Sequence, residues 1–545
     1  MASSTAPPPT GFKAEKHGAV LHSGKLILIA ILVFAAFCVV VLIFSRHWPF
    51  AEAPVLQNLR EASDSQVTVR GFRETYFPSP GCVLEGVVFH HGPSEAKPLI
   101  TIEKLTIQGS YSGLFTNSIS RIIAQGMRVE IPPFGTGAPF HTTKSKLTIG
   151  EIVADGAAID FDSKDPESQP LRFLIHEASL QNVDWSGPIT YRLKVRNPKP
   201  PGEITTSGKF GVWTQPDPGE TPISGEYKFD QADLGIYDGI AGKLSSTGKF
   251  DGKLSHIDIS GETDTPDFEV KSGRHPVRLT TQFSAYVDGT HGDVFLKRVD
   301  ADFWKSHIIA EGSIAKPSAG EGKTAVIHLQ ANNARIEDLL RLFVKADRPP
   351  MSGNVNFRAR AEIPPGPEGF LKKVKLLGRF GIDAGTFSAP STQQGVNKLS
   401  ADARGKKASN DSDDSETVLT DLTGREDLLH GTATFTDLSF GVPGAAASLH
   451  GTYDLINEKI DLRGQIKLDT QISNTQNGPK ALLLKAIQPF FKKKKKKEIV
   501  PVRISGTYNH PTFGLDLSDK KAQNVGPPSH KSSKAMPPPH HHRQE

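Results

Sequence analysis

Apolar and polar residues alternate along most of this chain, and the alternation is clearest in its last third. In the segment 458–469, Ile460, Leu462, Ile466 and Leu468 share one parity, and mostly charged residues fill the positions between them. Successive side chains of a β-strand point to opposite faces, so this segment predicts a strand with one apolar and one charged face. Similar runs recur about every ten residues between 147 and 329, which is typical of an all-β chain.

A glycine followed two positions later by an aromatic residue recurs in these runs. The pairs are Gly208/Phe210, Gly225/Tyr227, Gly248/Phe250, Gly378/Phe380, Gly451/Tyr453 and Gly506/Tyr508. One interpretation is a glycine at a bend or bulge of the strand, with the aromatic ring packed on the apolar face. The alternative is coincidence, because Gly and Phe are both common in this sequence. The irregular spacing excludes a fixed-period solenoid or propeller.

Four segments break the strand pattern with helical spacing or continuous hydrophobicity. The pattern predicts short helices at 54–60 and at 334–344, the second as an amphipathic cap on the sheet. It also predicts a short helix within 110–126 from the spacing of Leu114, Phe115, Ile119, Ile122 and Ile123, followed by a strand at 127–131. The fourth segment, 26–44, is apolar and uncharged.

The segment 26–44 is long enough, at 1.5 Å per residue, to span a hydrocarbon core of about 30 Å. Lys13, Lys16 and Lys25 precede it and Arg46 follows it, which favours a cytoplasmic N-terminus. We therefore predict a transmembrane helix at 25–45. A signal peptide cleaved near residues 51–53 is the alternative. The leader 1–24 and the tail 518–545 are polar and predict disorder.

A second apolar segment, 481–491, is too short to span a bilayer and is followed by a run of lysines. It is either a membrane-docking element, with apolar side chains at the interface and lysines near anionic headgroups, or a helix across the end of the sheet with solvated lysines. The candidate docking residues are Leu483, Leu484, Ile487, Phe490, Phe491, Lys492, Lys493, Lys494, Lys495, Lys496 and Lys497.

Composition and motifs argue against several classes of function. A net charge of +5, spread over 545 residues without a recognition motif, does not indicate a nucleic-acid partner. Two cysteines, Cys38 and Cys82, exclude a disulfide framework. The segment GEGKT at 320–324 imitates a phosphate-binding loop but precedes a strand pattern, and His176 lacks the second histidine of a zinc motif. We predict no enzyme, no catalytic residue, no metal and no cofactor.

Alternation alone does not say how the apolar face is covered. A closed sandwich, a barrel and an open groove filled with lipid all satisfy that requirement. About 25–30 strands at about 4.8 Å each would extend over roughly 120–140 Å, more than one compact sandwich uses. The length therefore favours an elongated or multi-module protein.

The last third of the chain resembles the C-terminal part of AsmA-like proteins, bacterial relatives of the bridge-like lipid transfer family. The matching segments are ARIEDLL at 334–340, MSGNV at 351–355, LGRFGI at 377–382, LSADARG at 399–405, LHGTYDL at 449–455, LLLKAIQPFF at 482–491 and ISGTYNHP at 504–511. The resemblance implies an inner-membrane anchor and a periplasmic, elongated, strongly curved β-sheet whose apolar groove holds acyl chains. The family has no catalytic residues to transfer.

The fold expected is therefore mainly β: one N-terminal transmembrane helix, then an elongated, strongly curved antiparallel sheet forming an open groove, with a few short capping helices. The expected regions after the anchor are 50–200, 201–333 and 334–517, the last with a helix at 480–491. The residues expected to line the groove are Val355, Phe357, Phe380, Ile460, Leu462, Ile466 and Leu468.

The expected function is lipid binding and transfer in the cell envelope, serving outer-membrane biogenesis. The protein would be single-pass in the inner membrane with its bulk in the periplasm, and its partners would be phospholipids, the membrane and an envelope or outer-membrane protein. The alternative is a structural or adaptor protein, built of closed β-sandwich modules, that assists outer-membrane protein assembly.

Overall fold

The computed structural model describes most of the chain between residues 48 and 515. The described residues are 48–63, 65–90, 100–116, 118–131, 148–161, 170–183, 187–212, 214, 217–317, 322–345, 348–403, 417–468, 498–507 and 511–515. The predicted transmembrane helix at 25–45, the predicted helix at 480–491 and the lysine run lie outside these residues. Within them, no helix is both long and apolar enough to cross a membrane.

The chain divides into two compact units. The first comprises 1–162 and 181–184, and the second comprises 163–180 and 185–545. The regions predicted at 201–333 and 334–517 both belong to the second unit. The boundary predicted between them falls inside the strand Thr324–Arg335, which pairs with the strand Met351–Ile363. Strand β7 (Leu171–Val183) contributes residues to both units.

The first unit consists of one helix and six strands among its described residues. In chain order they are α1 (Glu52–Ser63), β1 (Gln66–Thr68), β2 (Gly71–Thr75), β3 (Gly81–His90), β4 (Ile100–Gly109), a 3-10 turn (Gly113–Phe115), β5 (Ser118–Ile131) and β6 (Thr148–Phe161). The predicted helix at 54–60 is confirmed as α1. Its Val55 packs into a core with Val67, Leu84 and Val87 of the strands. Burial raises the pKa of the Cys82 thiol in the same core to about 12.

Two expectations for the first unit are wrong. The helix expected from Ile119, Ile122 and Ile123 is absent, because these residues lie in β5, and only a 3-10 turn precedes them. Ile122 packs against the core and Ile123 points to the opposite face, so apolar residues on both faces of one strand imitated helical spacing. The sheet is also not wholly antiparallel, since β5 and β6 run parallel.

The second unit is built almost entirely of strands. In chain order its elements after β7 are β8 (Ile189–Pro198), β9 (Pro201–Phe210), a 3-10 turn (Pro218–Glu220), β10 (Pro222–Asp233), a 3-10 turn (Leu234–Ile236), β11 (Ile240–Ala241), β12 (Lys243–Lys253), β13 (His256–Val270), β14 (Val277–Asp288), β15 (Asp293–Phe303), β16 (Ser306–Ala315), β17 (Thr324–Arg335), α2 (Ile336–Phe343), β18 (Met351–Ile363), α3 (Phe370–Lys373), β19 (Lys375–Phe387), α4 (Pro390–Ala403), β20 (Thr420–Leu429), β21 (Thr432–Val442), β22 (Ala445–Asp454), β23 (Lys459–Leu468), β24 (Glu498–Thr507) and β25 (Pro511–Leu515).

These strands form an open, curved sheet. From β8 onward each strand pairs antiparallel with the next one in the chain, except that β10 pairs with β12 and the short β11 pairs with β13. In the described residues β25 pairs only with β24, so the sheet does not close on itself. Register shifts, for example between Ala331 and Ala334 of β17, insert extra residues that bend the strands.

Two helices lie on the sheet at the edge where β17, β19 and β23 end, which we call the helical rim. The predicted cap at 334–344 is confirmed as α2, whose Leu342 packs with Val270, Val277 and Phe303 of three strands. The sequence pattern did not predict α4, because only two of its apolar residues, Val396 and Leu399, belong to the cluster with the strand residues, and Gly395 has a low helix propensity. Both helices cover the strands at this one end and leave the remaining length of the strands uncovered by helix.

Asp338 fixes α2 to the strands although it is an acidic residue in a buried position. Its side chain is 5% exposed, and its Oδ2 accepts hydrogen bonds from Ser306 Oγ at 2.8 Å and from the Lys305 backbone N–H at 3.0 Å. Ser306 Oγ in turn accepts a hydrogen bond from the Arg335 backbone N–H at 3.0 Å. The helix is therefore held to the strands by a chain of hydrogen bonds as well as by its apolar side chains.

Replacing Asp338 with alanine is expected to lower the free energy of unfolding of the second unit by about 2 kcal/mol, because it leaves buried donors without an acceptor. Chemical denaturation measures the loss. The matched control is a double-mutant cycle with Ser306→Ala, whose effect and that of Asp338→Ala should be non-additive. Additive effects would contradict the coupling of these two side chains.

Candidate functional site

The pairing registers of the second unit place apolar residues and glycines in continuous rows on one face of the sheet. Directly paired residues of an antiparallel sheet point to the same side. One such row, in which Glu426 is the one charged member, passes through Tyr227, Gly248, Gly261, Phe283, Val299, Ala310, Leu329, Ala359, Gly378, Glu426, Phe435, Gly451, Leu462 and Ile504. We call this side the apolar face and the other the polar face. The two-faced strands predicted from alternation are confirmed here.

The centre of the apolar face is only partly buried. Phe283, Phe357, Phe380 and Leu462 all keep part of their surface exposed. The apolar cluster around Leu438, Ala447 and Leu449 draws all of its packed neighbours from strands of this same face. These side chains therefore contact one another sideways along the sheet, and their upper surfaces form an apolar floor.

Aromatic rings of this floor lie across glycines of the adjacent strands. A β-carbon on Gly248 would meet Tyr227 Cε1 at 2.8 Å, and one on Gly424 would meet Phe380 Cζ at 2.9 Å. Gly248 pairs in an uninterrupted register, so the expectation of a glycine at a bend or bulge is wrong there. The glycine instead leaves room for the aromatic ring of the adjacent strand to lie against the backbone of the sheet.

The structure places the seven predicted lining residues on the apolar face but in two different environments. Phe357, Phe380, Ile460, Leu462 and Ile466 are partly exposed on the floor. Val355 is 2% exposed in the cluster beneath α2, and Leu468 is 6% exposed in the cluster beneath α4. These last two are core residues of the helical rim.

The polar face carries charges that are largely paired. Arg278 forms two hydrogen bonds with Asp264, at 2.8 and 2.9 Å, and these hold the pKa of that carboxyl below its usual range. Lys297 binds Asp258 at 2.6 Å and lowers its pKa in the same way. Both pairs are well exposed, so each contributes little to stability. This face is a solvated surface.

A depression of about 690 Å³ lies where β9, β10 and β12 to β15 meet. The charged residues that line it are Glu226, Lys228, Lys249, Glu262, Arg298 and Asp300, all of which belong to the polar face by register. Arg298 and Asp300 pair at 2.7 Å, and both signs of charge are mixed throughout. The depression thus offers no concentrated charge for a ligand, and it lacks the extended apolar surface of the other face.

Sequence reasoning missed one polar residue of the apolar face, Glu426. It has the same parity on β20 as Leu422, Gly424 and Leu428, so the signal was a charged residue at an apolar position. Burial raises the pKa of its carboxyl. The described residues contain no group of three or more side chains that could hold a metal ion.

The candidate docking residues between 483 and 497 lie outside the described residues, so their role stays a prediction. No protein-family model matches this chain, and neither a curated protein nor a solved structure matches it.

Proposed function

We propose that this protein is a non-enzymatic lipid-binding and lipid-transfer protein that holds phospholipid acyl chains against the apolar face. The observation that carries the proposal is a continuous apolar floor, partly exposed, on an open sheet. Each methylene group moved from water onto such a surface gains about 0.8 kcal/mol, so an acyl chain is a well-matched occupant.

The proposal includes a place in the cell envelope. The apolar segment at 25–45 would anchor the chain in the inner membrane with a cytoplasmic N-terminus and the sheet in the periplasm. Residues 483–497 would dock on a membrane, and an envelope or outer-membrane protein would receive or supply the lipid. The process served would be outer-membrane biogenesis.

The alternative, an adaptor of closed β-sandwich modules, receives less support. A sandwich covers its apolar face with a second sheet. The sheet of the second unit is open, and the clusters at its centre contain residues of one face only. An occupant from outside the described residues accounts for this surface better than a closed core does.

A photo-crosslinking amino acid placed at Phe357, Phe380 or Ile466 is expected to capture phospholipid in cells, because all three side chains lie on the floor. The matched controls are residues adjacent in each strand, Arg358, Arg379 and Lys467, which point to the polar face. Mass spectrometry of the purified adducts identifies the partner. Crosslinks to protein alone, or equal lipid capture from both faces, would contradict the proposal.

A further inference from the structure

Glu426 interrupts an otherwise uncharged row of the apolar face. It pairs with Gly378 of β19 on one side and with Phe435 of β21 on the other. A β-carbon on Gly378 would lie 2.9 Å from Glu426 Oε1 and 3.3 Å from the Ala359 Cβ. The carboxyl group therefore lies over Gly378 and toward Ala359, in a notch that two small residues on consecutive strands leave open.

The side chains that face Glu426 from the adjoining strands carry no charge. They are Leu376, Gly378 and Phe380 of β19 and Ala433, Phe435 and Leu438 of β21. The nearest charged groups by sequence, Arg425 and Asp427, flank it on β20 and have the opposite parity, as does Arg379, which pairs with Arg425. Arg425 is directed to Asp437 at 3.7 Å.

One other titratable group shares this face nearby, Tyr453 of β22, which pairs with Ala433. A tyrosine phenol does not ionise between about pH 5 and about pH 8. Among the described residues that β18 to β22 place on this face, Glu426 is the one that carries a carboxyl group, and burial raises its pKa.

An acyl chain lying along this row would pass over the Glu426 carboxyl. Hydrocarbon offers the carboxylate neither a hydrogen bond nor a counter-charge, so covering the ionised form costs several kcal/mol and covering the neutral acid costs much less. Burial by the sheet has already raised the pKa of this carboxyl, and an acyl chain would remove more of its water.

We propose that Glu426 couples occupancy of the apolar face to protonation, so that an acyl chain binds over this residue together with one proton from solvent. The proposal rests on the lipid-binding function proposed above and adds a regulatory residue to the same site. The step is an acid–base equilibrium: the carboxylate takes up H⁺ to become the neutral acid, and no other bond changes.

The sign of the pH dependence follows from linkage. The lipid-bound form has the higher carboxyl pKa, so it holds more protons than the free form between the two pKa values. Affinity is then greatest at acid pH and falls by up to about tenfold for each unit that the pH rises between those values. Above both values the affinity becomes constant at its weaker level.

The test is binding of phosphatidylcholine with a fluorescent acyl chain to the full-length protein between about pH 5 and about pH 8, since this headgroup keeps its charge over that range. The wild type should bind more tightly as pH falls. Glu426→Gln should bind with the same affinity at every pH, at the level of the wild type at acid pH. Asp427→Asn, a neighbouring carboxyl on the polar face, should keep the wild-type pH dependence.

Calorimetry in two buffers of different ionisation enthalpy gives a second readout, the protons taken up on binding. Uptake should approach one for the wild type in the pH range where affinity changes, and should be zero for Glu426→Gln. Binding of the wild type that is independent of pH, or that weakens as pH falls, would overturn the proposal and leave lipid binding intact. Failure of the wild type to bind the probe at any pH would overturn the proposed function as well.

Discussion

Replacing Leu462 with glutamate is expected to abolish co-purification of phospholipid while the sheet stays folded. Leu462 lies on the floor, paired with Gly451 and Ile504, and is partly exposed. In the empty protein the new carboxylate reaches water, so the cost in folding free energy is about 1–2 kcal/mol. In the occupied protein an acyl chain would cover the charge, which costs several kcal/mol and is enough to prevent binding.

Two control variants isolate this effect. Leu462→Met keeps the volume and apolarity of the side chain and should retain lipid. Gln465→Glu adds the same charge to an exposed position of β23 on the polar face and should also retain lipid. Extraction and mass spectrometry quantify the bound lipid, and circular dichroism reports the fold. A Leu462→Glu protein that is folded and carries wild-type amounts of lipid would contradict the proposed function.

Replacing Leu468 with glutamate is expected to have a different result, unfolding of the C-terminal end of the sheet. Leu468 lies six residues further along the same strand and on the same face, but it is 6% exposed and packs with Val396 of α4 and with Val418, Val442 and Ala445. A carboxylate there would be shielded from water by these apolar side chains. The expected loss of unfolding free energy is at least about 3 kcal/mol.

Thermal unfolding and limited proteolysis measure this loss. Leu468→Glu should unfold at lower temperature than Leu462→Glu, and its first proteolytic cleavages should fall in or near α4 and β23. Comparable stability of the two variants would mean that α4 does not cover this end of the face. The pair of variants thus separates residues that stabilise the rim from residues that form the floor.

Alternation was sufficient to predict which residues share a face. Ile460, Leu462, Ile466 and Leu468 lie on the apolar face as expected, because the parity of a strand is fixed by backbone geometry and is independent of tertiary context. The helix at 334–344 was likewise predictable, since its apolar residues follow helical spacing over about two turns.

The coverage of that face was not predictable from alternation. Val355 and Phe357 have the same parity on β18, but α2 buries the first and leaves the second on the floor. The difference depends on a helix that precedes the strand and folds back over its end. Parity reports which way a side chain points and carries no information about what lies above it.

That the segment Ser118–Ile131 forms strand β5 and not a helix was not predictable for a related reason. Helical spacing at Ile119, Ile122 and Ile123 and apolar residues on both faces of a strand give the same local pattern. The choice between them depends on the neighbouring strands: β4 and β6 hydrogen-bond to the two edges of this segment, and each supplies a full ladder to it. Pairing of this kind is a tertiary property.

The connectivity of the second unit has a consequence for how such a protein is assembled and how it varies. Because nearly every strand owes its hydrogen bonds to the strands directly before and after it in the chain, the sheet behaves as a one-dimensional array of nearest neighbours. Its contacts are close in sequence, so pairing can proceed strand by strand as the chain is synthesised. Fraying is expected to begin at β25, which pairs with one strand only among the described residues, and to move inward. Insertion or deletion of one hairpin changes the pairing of only the two strands beside it. The number of strands in the sheet can therefore change in evolution while the length of each strand stays the same.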